Sequence, residues 1–312
     1  MKQFKYISNL SEEELNQYIV HACINEDGNR CILIKNLVNK SVVSKYDTDN
    51  LEIRLNTVLH FNDIEYFFHV ITAKKNDFES SKGFELVYDY IFKKIQTPVL
   101  DSELAGLILS IEEYFRITPE RSNRILQTGV WGELFCIKWL YEHGCSEIVQ
   151  KYHNNFFLKH DLELSKSLRM EIKTSQDQNR IHHFRHDQIC RKDISILVAS
   201  LIVEEAMQGT TLFTLFAQIL ELIADIEDRF ALQKIMKMCG VDQNNQGLSF
   251  AEEKAGDDIR FYDADSLPKL LVEMPQGVSK VEYNVDCALG APLNVDSLIY
   301  MLNSTEDQRK KE

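Results

Sequence analysis

The sequence predicts an α/β (α+β) protein: a mixed sheet flanked by helices, preceded by a small β-rich N-terminal module. Three observations carry that reading. Short segments rich in β-branched and aromatic residues crowd into residues 31–72, separated by Asn, Asp and Gly turns. A long stretch with helical apolar spacing covers residues 122–143. Beyond residue 120 the order runs helix, strands, helix pair, strands, the pattern of a layered α/β domain.

Taken in order, Ser11-Glu-Glu-Glu-Leu opens a short capped helix over residues 11–20. Strand-like segments follow at Cys31–Lys35, Ser41–Ser44, Leu51–Leu55 and Tyr66–Thr72, enough for a small, mostly antiparallel sheet. Helices are expected near 79–96 and 102–117, the second with Asp101-Ser102 as its N-cap. A boundary falls within 97–120, which gives a β-rich module with two trailing helices over 1–118 and a second domain over 119–303. The charged segment 304–312 is expected to fray. In the second domain Val130, Leu134, Ile137, Leu140 and Tyr141 keep helical spacing, with Trp131 and Trp139 packing that helix and Gly144 stopping it. Strand signals follow at Asn155–Leu158, Asp161–Leu164, Leu168–Thr174 and Ile194–Val203. A helix pair spans 211–239, where Phe213, Leu215, Phe216, Ile219, Leu220 and Ile223 make a face for the core or for a subunit contact. Ile259–Tyr262 and Val281–Asp286 are the last strand-like pieces.

Composition narrows the class. Apolar content of 44% and charged content of 27% are those of a globular protein. No run of 18 apolar residues exists, so no membrane span is expected, and Met1-Lys-Gln-Phe-Lys5 leads into no apolar core of a signal peptide. The seven cysteines are scattered without a Cys-x-x-Cys pair, which fits buried reduced thiols and a cytoplasmic protein rather than a disulfide framework. The net charge of −13 argues against a nucleic-acid binder. The distribution argues the other way: Lys151–Lys192 holds nine Lys/Arg against five Asp/Glu, and five of the nine histidines. Such a basic island in an acidic chain is a place for a phosphate backbone, or a solvated mixed-charge face.

The chemistry concentrates in the same window. On a strand, Leu168, Met170 and Ile172 share one face, while Arg169, Glu171 and Lys173 share the other. Ser165-Lys166-Ser167 is short enough to close a hairpin with the preceding segment, bringing Asp161 beside Glu171. A second Glu-x-Lys, Glu252-Glu253-Lys254, lies in a polar, Gly-containing stretch without alternation and reads as a surface loop. Glu133, within Gly129-Val-Trp-Gly-Glu-Leu-Phe135, sits at the edge of the apolar stripe, where a carboxylate needs a partner or a cation. Phosphodiester hydrolysis requires neutralised charge and a deprotonated water. Asp161 and Glu171 would hold Mg²⁺, with Mn²⁺ as a substitute and the Ile172 carbonyl as a further donor. Lys173 would orient the attacking water, and Glu133 would act through a water or help to hold a second ion.

These residues resemble the PD-(D/E)XK (restriction-endonuclease-like) superfamily, and within it an uncharacterised bacterial family. The resemblance rests on Gly132-Glu133-Leu134, His160-Asp161, Glu171-Ile-Lys-Thr174, then Arg180, His182 and Gln188, with an echo in Leu267-Pro268, Pro275-Gln-Gly-Val278 and Val281–Asp286. It covers about residues 120–290. It implies a restriction-endonuclease-like sheet and Mg²⁺-dependent DNA cleavage in restriction or anti-phage settings. Two departures stand out: His160 occupies the Pro position, and Tyr152–Phe157 lacks a Trp/Gly/Pro-rich lead-in.

Arg169, Arg180, His182, Arg185 and Gln188 are the expected nucleic-acid contacts; the spacing of His182, His183 and His186 fits no zinc site. No phosphate loop and no nucleophile elbow appears. A reading of a different class stays open: a non-catalytic DNA-binding or scaffolding subunit of a defence complex on the same fold. So do an RNA substrate and a homodimer, the latter favoured by two-strand cutting with one site per chain.

Overall fold

Alternation over residues 51–73 builds the longest hairpin of the chain. In the computed structural model, which describes residues 5–36, 44–48, 50–61, 63–74, 78–99, 101–117, 123–152, 160–191, 193–272 and 275–309, it pairs β5 (Leu51–Phe61) with β6 (Ile64–Ala73). The chain divides into two units, Met1–Ile117 and Thr118–Glu312. The first holds a six-stranded sheet of order β1-β2-β3-β6-β5-β4, with β1 (Lys5–Tyr6), β2 (Val20–Ile24), β3 (Arg30–Lys35) and β4 (Ser44–Asp47). Helix α1 (Glu12–Gln17) carries the expected capping box of Ser11 and Glu14 but ends before Tyr18. The following residues form β2, masked in the sequence because the polar His21 is among its buried positions. α2 (Phe78–Lys94) and α3 (Asp101–Arg116) follow. The expected strand residues Ser41–Val43 and Asn155–Leu158, and the capping side chains of Asp101 and Ser102, lie outside the described residues.

The second unit starts on α4 (Arg124–Glu142). Asn123 caps it by accepting the Leu126 N–H at 2.9 Å, and Gly144 ends it at φ +98. A side chain would resist that φ; glycine does not. Trp131 is fully buried between Phe135 and Phe250, at ring distances of 5.1 and 5.0 Å, and its indole N–H reaches the Thr210 carbonyl at 2.9 Å. Emptying such a site costs about 3–5 kcal/mol.

Against α4 lies a mixed sheet of order β13-β10-β8-β7, built from β7 (Leu162–Glu163), β8 (Leu168–Ser175), β10 (Ser195–Ile202) and β13 (Arg260–Asp263). β8 and β10 run parallel, and the two outer strands are antiparallel to them. Strand β10 is a continuous apolar run because both faces are covered. Leu197, Ala199 and Leu201 join the core with α4, whereas Ile196 and Val198 join Phe184, Tyr262 and Val285. Phe184 and Val285 come from a small antiparallel pair, β9 (Ile181–Arg185) and β14 (Glu282–Asp286). A one-turn helix, α5 (His186–Ile189), follows β9. β11 (Glu205–Thr211) pairs with β12 (Ser249–Phe250), and α6 (Leu212–Leu222) and α7 (Ile226–Met238) realise the expected helix pair.

One expectation needs correction: Glu252–Asp258 is a helix, α8, not a loop. The last helix is α9 (Val295–Arg309). All seven cysteines are free thiols, and among the described residues no helix is long and apolar enough to cross a membrane.

Candidate active site

Strand geometry brings the first pair together. Glu171 and Lys173 are two residues apart on β8 and therefore share a face. Lys173 Nζ lies 2.8 Å from Glu171 Oε1, and its ammonium sits 5.1 Å from the centroid of the Phe184 ring. Leu168, Met170 and Ile172 point into the core with α4, as alternation requires.

The hairpin brings the third group. Leu162 pairs with Met170 and Glu163 with Arg169, so Asp161, one residue before β7, comes opposite Glu171. Asp161 Oδ2 accepts the Ile172 N–H at 2.6 Å, which fixes the carboxylate against the edge of the strand.

Helix α4 brings the fourth. A Cβ on Gly132 would stand 1.8 Å from Thr174 Oγ1, so only glycine lets the helix approach β8 this closely. The next residue is Glu133, delivered beside the strand. Its Oε2 accepts a hydrogen bond from the Tyr152 hydroxyl at 2.7 Å.

The electrostatics show three acids that feel one another. Burial, then the charge of Glu171, pushes Glu133 up to about 7, against the Tyr152 hydrogen bond and the Lys173 charge. Burial raises Asp161 well above the usual carboxylate range. Glu171 and Glu133 add to that, and the Ile172 N–H and Lys173 oppose it. Glu171 itself is 2% exposed. Its Oε1 accepts from both Lys173 and Gln188, the latter at 2.6 Å. Its Oε2 is buried with no hydrogen-bond partner among the described residues and faces His160 Nδ1 at 3.4 Å.

This donor set fits a hard divalent cation. Its donors are carboxylate oxygens, one of them without a hydrogen-bond partner in the interior, and among the described residues the Lys173 ammonium beside Glu171 does not balance three acids. No three His, Cys, Asp or Glu among the described residues make a ready cage. Mg²⁺ asks for less: one or two carboxylates, with waters completing its shell. Asp161 and Glu171 are the residues that would hold it.

The expected nucleic-acid contacts divide sharply. Gln188 joins the site, where it holds Glu171 from α5. His182 is 4% exposed, with Nε2 2.7 Å from Ser200 Oγ, and burial followed by Lys173 and Arg180 lowers it to about 4, so it is neutral and sealed in. Arg180 donates to the Ser200 carbonyl at 2.9 Å and to the Asp258 carbonyl, tying β10 to α8. Arg169 is turned back on its own hairpin, donating to the Ser165 and Leu168 carbonyls and pairing with Glu163 at 3.0 Å. Arg185 remains exposed, 3.9 Å from Asp187. Sequence reasoning missed Tyr152 and Phe184. Nothing local marks Tyr152, which meets the site through its isolated bridge to Leu162.

A mixed sheet whose central strand carries Glu-x-Lys, flanked by an Asp from a hairpin and a Glu from the preceding helix, defines a nuclease-like fold of the PD-(D/E)XK type. The chain belongs to the family described as "Putative PD-(D/E)XK family member, (DUF4420)", which matches residues 5–288. No curated protein and no solved structure matches the chain.

Proposed function

We propose that this protein hydrolyses phosphodiester bonds in DNA as a divalent-metal-dependent endonuclease of a restriction or anti-phage system. One observation carries the reading: Glu171 is held at Oε1 by Lys173 and Gln188 while its buried Oε2 has no hydrogen-bond partner among the described residues, with Asp161 fixed opposite it. A bound Mg²⁺ would neutralise the scissile phosphate and acidify an attacking water. The chain's own residues do the rest. The Ile172 N–H and the Gln188 amide set the two carboxylates. The Lys173 ammonium, kept on the Glu171 face by Phe184, stands ready to donate to a nucleophilic water or to a phosphate oxygen whose charge grows in the transition state. Tyr152 orients Glu133, whose raised pKa suits proton exchange near neutrality.

One observation favours a second, non-catalytic reading. Among the described residues, Arg169 and Arg180 are engaged internally and His182 is sealed, which withdraws three of the expected contacts from a phosphate backbone. The same experiment separates the two. Mn²⁺ is titrated calorimetrically into the wild type and Asp161→Asn, and both are assayed for plasmid nicking. Binding and nicking lost together in the variant supports the nuclease. Wild type that binds Mn²⁺ yet never nicks DNA, RNA or single strands supports the scaffold.

A further inference from the structure

Phe184 stands against the Lys173 ammonium, yet its strand shares no backbone ladder with the sheet that carries the lysine. Among the described residues β9 pairs with β14, whereas β8 pairs with β7 and β10. The polar ties from Arg180 and β9 to β10 all meet, among the described residues, at Ser200. Ser200 is fully buried and lies opposite Lys173 in the parallel register, so the two side chains leave the same face of the sheet.

Donor counting fixes the direction of these bonds. A guanidinium can only donate, and Arg180 donates to Ser200 Oγ at 3.1 Å as well as to the Ser200 carbonyl at 2.9 Å. The hydroxyl has a single hydrogen, and the acceptor within reach is His182 Nε2, 2.7 Å away. Were the imidazole to donate instead, that buried hydrogen would have no acceptor among the described residues, a costly state in an interior. The bonds therefore run from Arg180 to Ser200 to His182, and the ring carries its one proton on Nδ1. Burial first, then the charges of Lys173 and Arg180, lowers the ring to about 4, in keeping with a neutral imidazole. Those two cations, one on β8 and one just before β9, are the charged groups that act on it. His182 and Phe184 are the buried residues of β9, with their rings edge to face at 6.5 Å. Holding His182 thus fixes β9 over β8, and with it the wall that turns the Lys173 ammonium to Glu171.

We propose that His182 is a positioning residue for Lys173. Ser200 and Arg180 hold it as the neutral Nδ1–H tautomer, which seats Phe184 beside the ammonium and keeps a further cation out of its surroundings. The effect on rate rests on the nuclease reading above; the placement of Lys173 does not.

The test uses the full-length protein. Two-bond ¹H–¹⁵N spectra of ¹⁵N-histidine protein are expected to show, at pH 7, a neutral His182 ring protonated at Nδ1, assigned by its loss in His182→Gln. In ¹³C-lysine protein the Lys173 ε-methylene, assigned by its loss in Lys173→Arg, should show the upfield shift of a group over an aromatic ring. Ser200→Ala and His182→Leu are expected to lose that shift. Both should lower kcat for plasmid nicking by about ten- to a hundredfold, the scale of a misplaced catalytic group, with KM within about twofold. His182→Gln, whose amide oxygen can accept the Ser200 hydrogen, should keep the shift and most of the rate. A ring protonated at Nε2, or charged at pH 7, overturns the assignment. So does a folded Ser200→Ala whose Lys173 shift and kcat match the wild type. Equal losses in His182→Leu and His182→Gln would show packing alone and overturn it as well. Wild type that nicks no substrate overturns the nuclease reading, and the Lys173 shift in Ser200→Ala then decides the positioning by itself.

Discussion

The chain contains Glu-x-Lys twice, and the two copies behave in opposite ways. On β8, Glu171 and Lys173 project from the same face and meet at 2.8 Å. On α8, Glu252 and Lys254 stand about 200° apart around the helix and point in different directions. Glu252 accepts from Lys138 at 2.5 Å and from the Thr210 hydroxyl, and Lys254 pairs with Glu204. The tripeptide has no chemistry of its own. Period two turns it into a buried carboxylate with an ammonium at its side, and period 3.6 scatters it into two separate ion pairs.

The largest effect should separate the two lysines. If the strand copy is the catalytic one, Lys173→Ala is expected to lower the nicking rate by about 10²–10³ or more, the usual consequence of removing one preorganised donor to developing charge. Lys254→Ala should leave the rate within about twofold, since Lys254 and Glu204 are both exposed at the surface. Plasmid nicking at saturating Mn²⁺ measures both. Equal losses would remove the distinction drawn here.

A second variant tests what holds the strand copy in place. Gly132→Ala sets a Cβ against Thr174, 1.8 Å from its Oγ1 and 2.8 Å from its Cβ. Helix and strand must then separate, at a cost of about 1–3 kcal/mol in urea denaturation. Thr174→Ala in the same chain should recover part of that loss, because Oγ1 and Cγ2 leave while Cβ remains. The α8 copy has no such requirement: a Cβ on Gly256 would lie 3.7 Å from Trp139 Nε1, an ordinary contact. Gly256→Ala is therefore expected to fold as well as the wild type or better.

Titration sharpens the contrast because the two glutamates shift in opposite senses. Burial raises Glu133 from 4.5 to about 7. Its folded form holds a proton that the unfolded chain releases sooner, so its stabilisation is complete below 4.5 and disappears as pH rises to about 7. Burial also acts upward on Glu252, but Lys138 and Thr210 outweigh it and the net shift is downward. Its contribution is present above the unfolded value and is lost as pH falls below it. Stability curves against pH should therefore flatten between 4.5 and 7 in Glu133→Gln, and only in the acid limb in Glu252→Gln. Exchange of those two outcomes would show that the environments had been assigned the wrong way round.

How much of this was legible follows the same physics. Alternation in Leu168–Lys173 and a three-residue connection placed Asp161, Glu171 and Lys173 together from sequence. The 3.6 spacing of Val130, Leu134 and Ile137 placed Glu133 on its helix. β9 escaped notice because its buried positions are His182 and Phe184, so a histidine stands where the pattern calls for an apolar residue. α8 read as loop because Gly256 and four acids dominate it; Ala255, fully buried, anchors it through packing that propensity does not register. The roles of Arg180 and His182 depend on a carbonyl and a hydroxyl elsewhere in the fold, which no local pattern encodes, whereas Arg169 turns back onto the carbonyls of its own hairpin.

The smallest effect is expected where the helical copy looks strongest. Glu252→Ala removes the 2.5 Å contact to Lys138 and the Thr210 hydrogen bond. Lys138, though, also pairs with Glu142 at 2.7 Å, so its ammonium keeps a partner after the truncation. Glu252 is partly open to water, where an ion pair is worth about 0.2–1 kcal/mol. A loss within that range by urea denaturation, with nicking unchanged, fits a pair that pins α8 to α4 and nothing more. A loss of about 3 kcal/mol or more, the mark of an uncompensated buried charge, would mean that Lys138 depends on this carboxylate. The α8 copy would then be a structural ion pair in its own right, and period alone would no longer explain why only one Glu-x-Lys forms a site.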